Sequence, residues 1–283
     1  MISYSFTWEI TKNCSFKCNY CTTYNNVFKE YSSREKIDKV LNFFKELSLQ
    51  NDTNDILVEI TGGEPTLHPE LYYICEQLSS IDKLRYNLLS NLSAPIDIYN
   101  DILNIPNSKL HRLCITYHEN HFDLADFITK YDKIISENKS KNFLLWCLLG
   151  INRKSKEVLL DNFSDLLSKH TNLTMKLAPV VYDNEDIFRY KDKKDNKELF
   201  HDQYNKKCFC FRTLCYITED NKLHRCNSNT NTAFKITIDN NFINVFNILK
   251  NKYIICKETF CCRNPQRCGV YDHTSLIKDI DNA

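Results

Sequence analysis

The sequence predicts an α/β protein in which six strands alternate with helices, followed by a smaller cysteine-rich segment. From residue 5 to about residue 180, short apolar segments alternate with segments of helical periodicity. The 14 cysteines are concentrated towards the two ends of the chain: three lie within the first 21 residues and eight lie between residues 208 and 268. The first pattern predicts a sheet covered by helices, and the second predicts chemistry that depends on thiols.

Each segment of the alternating region is assigned from its period. The first is a strand at Ser5–Ile10, and the second is a helix at Ser33–Ser48 with one apolar face and a candidate N-cap at Ser32 or Ser33. The later strands are predicted at Ile56–Ile60, Tyr86–Ser90, Leu110–Thr116, Phe143–Leu149 and Thr174–Pro179, and the later helices at Pro69–Ser79, Ile96–Leu103, Leu124–Glu137 and Lys156–Lys169. Six βα-type units imply a partial (βα)6 TIM-like barrel, because a closed barrel needs eight.

A charged stretch separates the alternating region from the second group of cysteines. It contains the run YKDKKDNK at 190–197, which is typical of a solvated linker. We therefore predict a core domain at 1–182, a linker at 183–207 and a small cysteine-rich α+β extension at 208–283. Within the extension, Lys235–Val245 is predicted to be rich in strand.

Composition excludes several classes of protein. The chain has 37 basic and 36 acidic residues, a balance that argues against a dominant nucleic-acid-binding surface. No segment approaches the roughly 20 apolar residues of a membrane span, and the N-terminus lacks the pattern of a secretory signal. We therefore expect a cytoplasmic protein with reduced thiols and with neither nucleic acid nor membrane as a partner. In such a protein, clustered cysteines suggest metal ligands before disulfides.

Cys14, Cys18 and Cys21 follow the first predicted strand as C-x3-C-x2-C in the segment TKNCSFKCNYC. Three thiolates on one short loop can hold three corners of a [4Fe–4S] cluster, whereas a structural zinc ion usually takes four protein ligands. No further Cys or His lies within 40 residues of Cys21, so one iron would stay open. The alternatives are a zinc site completed by a distant residue and a coincidental grouping of cysteines.

A second motif, TGGEP at Thr61–Pro65, follows the second predicted strand and contains two of the four glycines in the chain. Glycine lets a ligand approach the backbone where a Cβ atom would collide. A strand-to-helix turn alone could also account for this motif. The motif lies one βα unit after the cysteine motif. With these two motifs in this order, the chain resembles the radical S-adenosylmethionine (SAM) superfamily.

The resemblance implies that SAM binds the open iron through its amino and carboxylate groups. One electron from the cluster would then cleave SAM to methionine and a 5′-deoxyadenosyl radical, which abstracts a hydrogen atom from the substrate. It also implies that the exposed backbone of Gly62 and Gly63 and the carboxylate of Glu64 hold the methionine amino group. Tyr20 fills the aromatic position before the last cysteine, although ordinary packing is an alternative role. An electron donor of flavodoxin or ferredoxin type is implied as a partner, and a methyl-donor role for SAM is an alternative that no feature favours.

Polar residues end the third and fourth predicted strands. Ser90 and Asn91 stand where the family usually offers partners for the ribose or carboxylate of SAM. Thr116 and His118 occupy alternate positions and hence one face, at the strand end where barrel folds bind ligands. Local capping by Asn91 and a surface location for His118 are the alternatives.

Two isolated cysteines lie within predicted strands. Cys114 shares a face with Thr116, and Cys147 belongs to the fifth strand. Either thiol could donate a hydrogen atom to a substrate radical. The alternative is a buried and inert cysteine.

The segment CFCFRTLCYITEDNKLHRC at 208–226 resembles the start of the SPASM/twitch extension of many radical SAM enzymes. Its hairpin would pair Cys215–Thr218 with Lys222–Cys226, and Asn221 would replace the usual glycine at a left-handed turn position. The small-Gly pair usual after the first cysteine is missing, which leaves the choice between Cys208 and Cys210 open.

The resemblance implies one auxiliary [4Fe–4S] cluster, with zinc as the alternative. The expected ligands are Cys208, Cys226, Cys262 and Cys268, with Cys215, Cys256 and Cys261 as substitutes. It also implies a peptide, a protein side chain or a small molecule such as a sugar as the substrate. Only 13 residues precede Cys14, so leader recognition for a peptide would be absent or come from another chain. The alternative function is a non-catalytic iron–sulfur or zinc-binding protein.

Overall fold

The structure is a computed structural model. It describes residues 2–18, 21, 31–118, 121–149, 154–179, 207–208, 215–224, 235–250 and 254–255. No helix in this described part combines the length and the apolar character that crossing a bilayer would need.

The first part of the chain alternates strands with helices in the predicted order. The strands are β1 (Ile2–Thr11), β2 (Thr53–Gly62), β3 (Leu84–Ser90), β4 (Leu110–Tyr117), β5 (Phe143–Leu149) and β6 (Leu173–Pro179). The helices are α1 (Arg34–Ser48), α2 (Leu71–Ser80), α3 (Ile96–Leu103), α4 (Leu124–Glu137) and α5 (Lys154–Lys169). Helix α1 begins where the sequence predicts, because the side chain of Ser33 accepts a hydrogen bond from the Lys36 N–H at 3.4 Å.

These six strands lie in chain order in one sheet, and each is parallel to the next. The predicted α/β class and the partial TIM-like architecture are therefore confirmed. A parallel sheet brings the carboxyl ends of its strands to one edge, where ligand sites form in folds of this kind.

Three strands of the C-terminal part continue the same sheet beyond β1. They are β8 (Cys215–Ile217), β9 (Lys222–His224) and β10 (Lys235–Thr237). Strand β8 pairs parallel with β1, with Phe6 opposite Cys215, and the next two pairings are antiparallel. A separate two-stranded sheet joins β7 (Lys207–Cys208) to β11 (Ile254–Ile255). Apart from Lys207, the predicted linker lies outside the described residues, so the domain boundary remains a prediction.

The predicted hairpin between β8 and β9 is confirmed. Asn221 adopts the left-handed backbone conformation expected of it, with φ 60°. Its side-chain amide donates to the Lys36 carbonyl at 2.7 Å, which ties the turn of the hairpin to helix α1.

The strand-rich assignment of Lys235–Val245 is wrong after residue 237. Strand β10 ends there, and helix α6 (Phe242–Leu249) follows. Phe242 and Phe246 lie one turn apart, and their ring centroids are 4.9 and 5.1 Å from that of Phe43 on α1. Burial of this aromatic pair against α1 stabilises the helix. The sequence did not reveal it, because a short apolar segment fits either a helix or a strand by pattern alone.

The residues of β1 alternate between the two faces of the sheet. Aromatic and aliphatic residues face the helices: Tyr4, Phe6, Trp8 and Ile10. Polar residues, all buried, occupy the opposite face, here called the inner face: Ser5, Thr7, Glu9 and Thr11. The Phe6 ring packs edge-on against Phe44 of α1 at 5.1 Å. The sequence of one strand thus supplies both the core and a polar interior.

Candidate active site

The loop after β1 carries the first three cysteines. Cys14 is half-buried, Cys18 is buried and Cys21 is exposed. The Cys21 N–H donates to the Cys18 carbonyl at 3.1 Å, which closes a turn between the last two. Burial raises the pKa of Cys14 to about 11, with smaller effects from Glu64 and the other two thiols. Such a thiol needs a cationic partner in order to ionise, and a metal supplies one.

A single metal ion and an iron–sulfur cluster need different arrangements of ligands. Among the side chains that the structure describes, no three of the types His, Cys, Asp or Glu converge to hold one ion. A cluster makes a different demand, because each thiolate binds a separate iron atom. Three thiols along one loop meet that demand for three irons, so the donor set fits a [4Fe–4S] cluster.

The two glycines of TGGEP clamp the cysteine loop onto β2. A Cβ atom on Gly62 would lie 2.1 Å from the Thr11 carbonyl oxygen, and one on Gly63 would lie 2.3 Å from that of Asn13. The Gly63 N–H donates to the Thr11 carbonyl at 2.8 Å. In this structure protein backbone makes the close approach at both glycines, and their contact with SAM stays a prediction.

The carboxylate of Glu64 is fully buried and joins the end of β2 to the end of β3. Oε1 accepts from the Thr66 N–H and hydroxyl at 3.1 and 2.6 Å and from the Ser90 hydroxyl at 2.8 Å. Oε2 accepts from the Asn91 N–H at 2.7 Å. Burial raises the pKa of Glu64, while these hydrogen bonds oppose the shift. In this structure the carboxylate is an internal anchor and is not open to a ligand.

Ser90 and Asn91 have different surroundings. The Ser90 hydroxyl contacts Glu64, the Tyr99 hydroxyl at 2.9 Å and the Leu92 N–H at 3.2 Å, so its bonding capacity is used within the protein. The amide of Asn91 points at the cysteine loop. Its Nδ2 lies 3.6 Å from the Cys14 sulfur and 3.2 Å from the Ser15 hydroxyl.

Thr116 and His118 lie at the end of β4, where the sequence places them. Thr116 is half-buried opposite Trp146 of β5. His118 reaches the cysteine loop, with its Nδ1 3.6 Å from the Cys18 sulfur. Burial, with a smaller effect from His121, lowers the pKa of His118 to about 4, so the ring is neutral at pH 7. His118 is therefore half-buried beside the cysteine loop, and its contact with SAM stays a prediction.

The two strand cysteines lie on opposite faces of the sheet. Cys114 is opposite Leu144 and packs with it and Trp146 on the inner face. Cys147 is opposite Tyr117, whose ring packs on Phe127 of helix α4 at 4.8 Å. The strand position of Cys147 faces the layer between sheet and helices, which agrees with the alternative of a buried and inert cysteine, and its role as a hydrogen-atom donor stays a prediction.

A group of charged residues at the end of β1 was not predicted from the sequence. The hydroxyl of Tyr216, on β8, donates to Glu9 Oε2 at 2.6 Å. Lys12 pairs with Glu219 in the β8–β9 turn at 2.5 Å and lies 3.7 Å from Glu9 Oε1. Burial, reinforced by Glu219, raises the pKa of Glu9 to about 8. The alternation of polar and apolar residues in β1 was the available signal for Glu9.

Residues 8–136 match the family model of the radical SAM superfamily. This stretch is a radical SAM domain. It runs from Trp8 within β1 to Ser136 in α4, and so it includes the cysteine loop, the glycine clamp and the ends of β3 and β4.

The curated relatives carry the names of enzymes. A GTP 3′,8-cyclase of Psychromonas ingrahamii is 34% identical over 113 residues, which are 36% of this chain and 32% of the relative. A 7-carboxy-7-deazaguanine synthase of Haemophilus influenzae is 30% identical over 141 residues, 47% of this chain and 61% of the relative. The chain thus spans less than two thirds of the length of either protein.

Solved structures share the fold at low sequence identity. "Native anSMEcpe with bound AdoMet and Kp18Cys peptide" superposes with a TM-score of 0.61 at 12% identity, covering 88% of this chain and 78% of that one. "Native anSMEcpe with bound AdoMet" gives a TM-score of 0.59 at 12% identity, covering 83% of this chain and 77% of that one. These likenesses support the fold of the radical SAM domain.

Several predicted ligands lie outside the described residues. They are Tyr20, the side chain of Cys208, and Cys210, Cys226, Cys256, Cys261, Cys262 and Cys268. Cys215, a substitute ligand, is described and packs in the apolar core with Ile217 and Leu223. The auxiliary cluster therefore remains a prediction.

Proposed function

We propose that the chain is a radical SAM enzyme that cleaves SAM reductively and abstracts a hydrogen atom from its substrate. Cys14, Cys18 and Cys21 would bind a [4Fe–4S] cluster, with SAM at the fourth iron. The observation that carries the proposal is the clamp of the cysteine loop by Gly62 and Gly63 within a radical SAM domain. A loop fixed by backbone contacts presents its thiols in one geometry, which a cluster of fixed shape requires.

When bound, the cluster supplies the electron for SAM cleavage, and the cleavage supplies the group that abstracts hydrogen. The residues of the chain hold and orient these reactants. Glu64 and Ser90 lock the ends of β2 and β3 together beneath the loop. Because the Glu64 carboxylate is enclosed, the backbone of Gly62 and Gly63 would bind the SAM amino group. Around this site, Tyr20, Asn91, Thr116 and His118 would contact SAM or the cluster loop.

The C-terminal cysteines would supply an auxiliary [4Fe–4S] cluster in a SPASM/twitch-like extension. The proposed ligands are Cys208, Cys226, Cys262 and Cys268, and zinc is the alternative metal. Strand β8 of this region pairs with β1, which supports a position beside the radical SAM domain. A flavodoxin- or ferredoxin-type protein would donate the electron. A cytoplasmic location agrees with the seven described cysteines, none of which forms a disulfide.

The substrate is a small molecule or a peptide or protein side chain. The relatives named for GTP and for a deazaguanine favour a small molecule, although the matched residues are 36% and 47% of this chain. On the inner face, the Lys176 Nζ lies 5.9 Å from the centre of the Trp146 ring. Of the two strand thiols, only Cys114 faces that interior, and it is the one we retain as a candidate hydrogen-atom donor.

The decisive experiment is anaerobic purification with reconstitution, followed by iron, sulfide and zinc analysis and incubation with SAM and dithionite. We expect about eight irons per chain for two clusters and formation of 5′-deoxyadenosine. Cys14→Ala, Cys18→Ala and Cys21→Ala should each abolish 5′-deoxyadenosine and leave the C-terminal metal bound. Cys75→Ala is the matched control, since Cys75 is buried in α2 away from the loop.

The outcomes separate the candidate functions. Normal SAM cleavage by any of the three loop variants contradicts the proposal. Bound zinc without 5′-deoxyadenosine identifies a non-catalytic metal-binding protein. About twelve irons would mean a second auxiliary cluster.

A further inference from the structure

Two side chains from neighbouring strand ends approach the sulfur atoms of the cysteine loop. The Asn91 amide, after β3, lies 3.6 Å from Cys14 Sγ, and His118 Nδ1, after β4, lies 3.6 Å from Cys18 Sγ. The Phe16 N–H also donates to Cys14 Sγ at 3.4 Å. Both side-chain distances suit hydrogen bonds to sulfur, whose larger radius lengthens them beyond the usual N–H···O range.

We propose that Asn91 and His118 donate hydrogen bonds to two cluster thiolates and thereby raise the reduction potential of the SAM-cleaving cluster. They are positioning residues, because they act through Cys14 and Cys18. The inference rests on the proposed function, since it requires that the loop binds a cluster. It goes beyond that function by assigning two side chains that set how readily the cluster accepts an electron.

The hydrogen-bond network fixes the orientation of the Asn91 amide. Its Oδ1 accepts from the Ser93 N–H at 2.9 Å, which leaves the NH2 group to face Cys14 and the Ser15 hydroxyl. The Ser15 hydroxyl in turn lies 2.6 Å from that of Ser93. Asn91 is thus held by a turn that does not depend on the sulfur.

Packing fixes the His118 ring. Phe16 of the cysteine loop meets it edge-on, with ring centroids 5.5 Å apart, and stacks on His121 at 4.7 Å. A cysteine that ligates iron is a thiolate and has no proton to give. The proton between His118 Nδ1 and Cys18 must therefore reside on nitrogen, which makes His118 the donor.

The direction of the effect follows from electrostatics. Reduction adds one negative charge to a cluster whose thiolates already carry much of the charge. An N–H dipole aimed at a sulfur stabilises the reduced state more than the oxidised state, and this raises the potential. Loss of either donor should therefore make the cluster harder to reduce.

The test compares variants that differ in the donor. His118→Leu removes the donor, whereas His118→Asn places an amide nitrogen at the same distance from Cβ as Nδ1. Asn91→Ser removes the amide, while its hydroxyl can still accept from the Ser93 N–H. His111→Asn is the matched control, because His111 is at the opposite end of β4. The readout is the midpoint potential from an EPR-monitored redox titration of reconstituted full-length protein without SAM or substrate, together with its iron content.

We expect His118→Leu and Asn91→Ser to shift the potential to more negative values, and the double variant to shift it further. His118→Asn should stay near the wild-type value, and His111→Asn should match it. If His118→Leu loses the cluster while His118→Asn retains it, that result also supports the donor role. Equal potentials in all variants, or equal shifts or cluster loss in both His118 variants, would overturn the inference.

The same experiment separates this inference from the proposed function. A wild-type protein that binds no [4Fe–4S] cluster overturns both. A wild-type protein that binds the cluster and cleaves SAM, but whose potential does not respond to the donors, overturns only the inference.

Discussion

Glu9 at the end of β1 and Tyr216 on β8 are joined by a hydrogen bond of 2.6 Å across 207 residues of sequence. Glu219, from the turn after β8, brings a second carboxyl group to Glu9, and Lys12 pairs with Glu219. Within this group, Lys12 precedes Cys14 by two residues, whereas Tyr216 and Glu219 belong to the β8–β9 hairpin. The protonation of Glu9 therefore bears on how the hairpin is held against the cysteine loop.

The first prediction concerns pH. The pKa of Glu9 is about 8 in the folded protein and 4.5 ordinarily, with burial the main cause and Glu219 the next. Between these values the folded state binds more protons than the unfolded state, so the free energy of unfolding decreases as pH rises. The stabilisation is complete below pH 4.5 and is lost as pH rises through 8. We expect a loss on the order of 1–3 kcal/mol between pH 6 and pH 9, measured by urea denaturation.

Glu9→Gln tests the source of this dependence. The glutamine carbonyl can still accept from the Tyr216 hydroxyl, and the amide can donate to Glu219 without titrating. The slope between pH 6 and pH 9 should become shallower than in the wild type. An unchanged slope would show that another group titrates.

The second prediction concerns the glycine clamp. In Gly63→Ala the new methyl group would lie 2.3 Å from the Asn13 carbonyl oxygen, a backbone atom that can move only with the cysteine loop. We expect the variant to retain its helical circular dichroism and to lose most of its reconstituted iron at the N-terminal site. Full iron loading with wild-type 5′-deoxyadenosine formation would contradict the clamp.

The third prediction concerns the anchor at Glu64. The Glu64 carboxylate accepts hydrogen bonds from Thr66, Ser90 and the Asn91 N–H. In Glu64→Gln, the side-chain NH2 group must face at least one of these donors. We expect a loss of about 2–4 kcal/mol in the free energy of unfolding. Glu76→Gln on the exposed side of α2 is the matched control and should change it by less than about 0.5 kcal/mol. Equal stabilities of the two variants would contradict the anchor.

The fourth prediction concerns helix α6. Phe246 is fully buried and its ring packs against those of Tyr4, Phe6 and Phe43 at 5.1–6.0 Å. Phe246→Ala should lower the free energy of unfolding by about 3–5 kcal/mol, because the cavity cannot close around three rings. Val245→Ala, at a side chain that is 40% exposed, is the control and should cost less than about 1 kcal/mol. A small effect of Phe246→Ala would mean that α6 is not needed to cover β1.

Local patterns predict most of the fold. The period of apolar residues predicts β1 to β6 and α1 to α5. Capping chemistry predicts the start of α1 at Ser32 or Ser33, and the structure has the N-cap at Ser33. The left-handed turn at Asn221 follows from residue type as well. Each of these features depends on residues close together in the chain, which is why the sequence reveals them.

The remainder depends on contacts between distant segments. Helix α6 forms against Phe43, about 200 residues earlier, and its short apolar pattern does not distinguish a helix from a strand. The glycine pair is recognisable as a motif, but its physical reason emerges only when the Thr11 and Asn13 carbonyls lie against it. Likewise, no local pattern reveals that Asn91 and His118 approach different cysteines.

The pairing of β1 with β8 has a consequence for synthesis of the chain. Strand β1 is made first, but its second neighbour in the sheet emerges from the ribosome more than 200 residues later. Until then, one edge of β1 and the aromatic rings that α6 covers stay open to other chains. During synthesis the nascent protein therefore has, for a period, an unpaired strand edge that is prone to aggregation. The duration of this period is the time needed to translate residues 12–249. We expect the need for chaperones to increase as ribosomes take longer to translate that stretch.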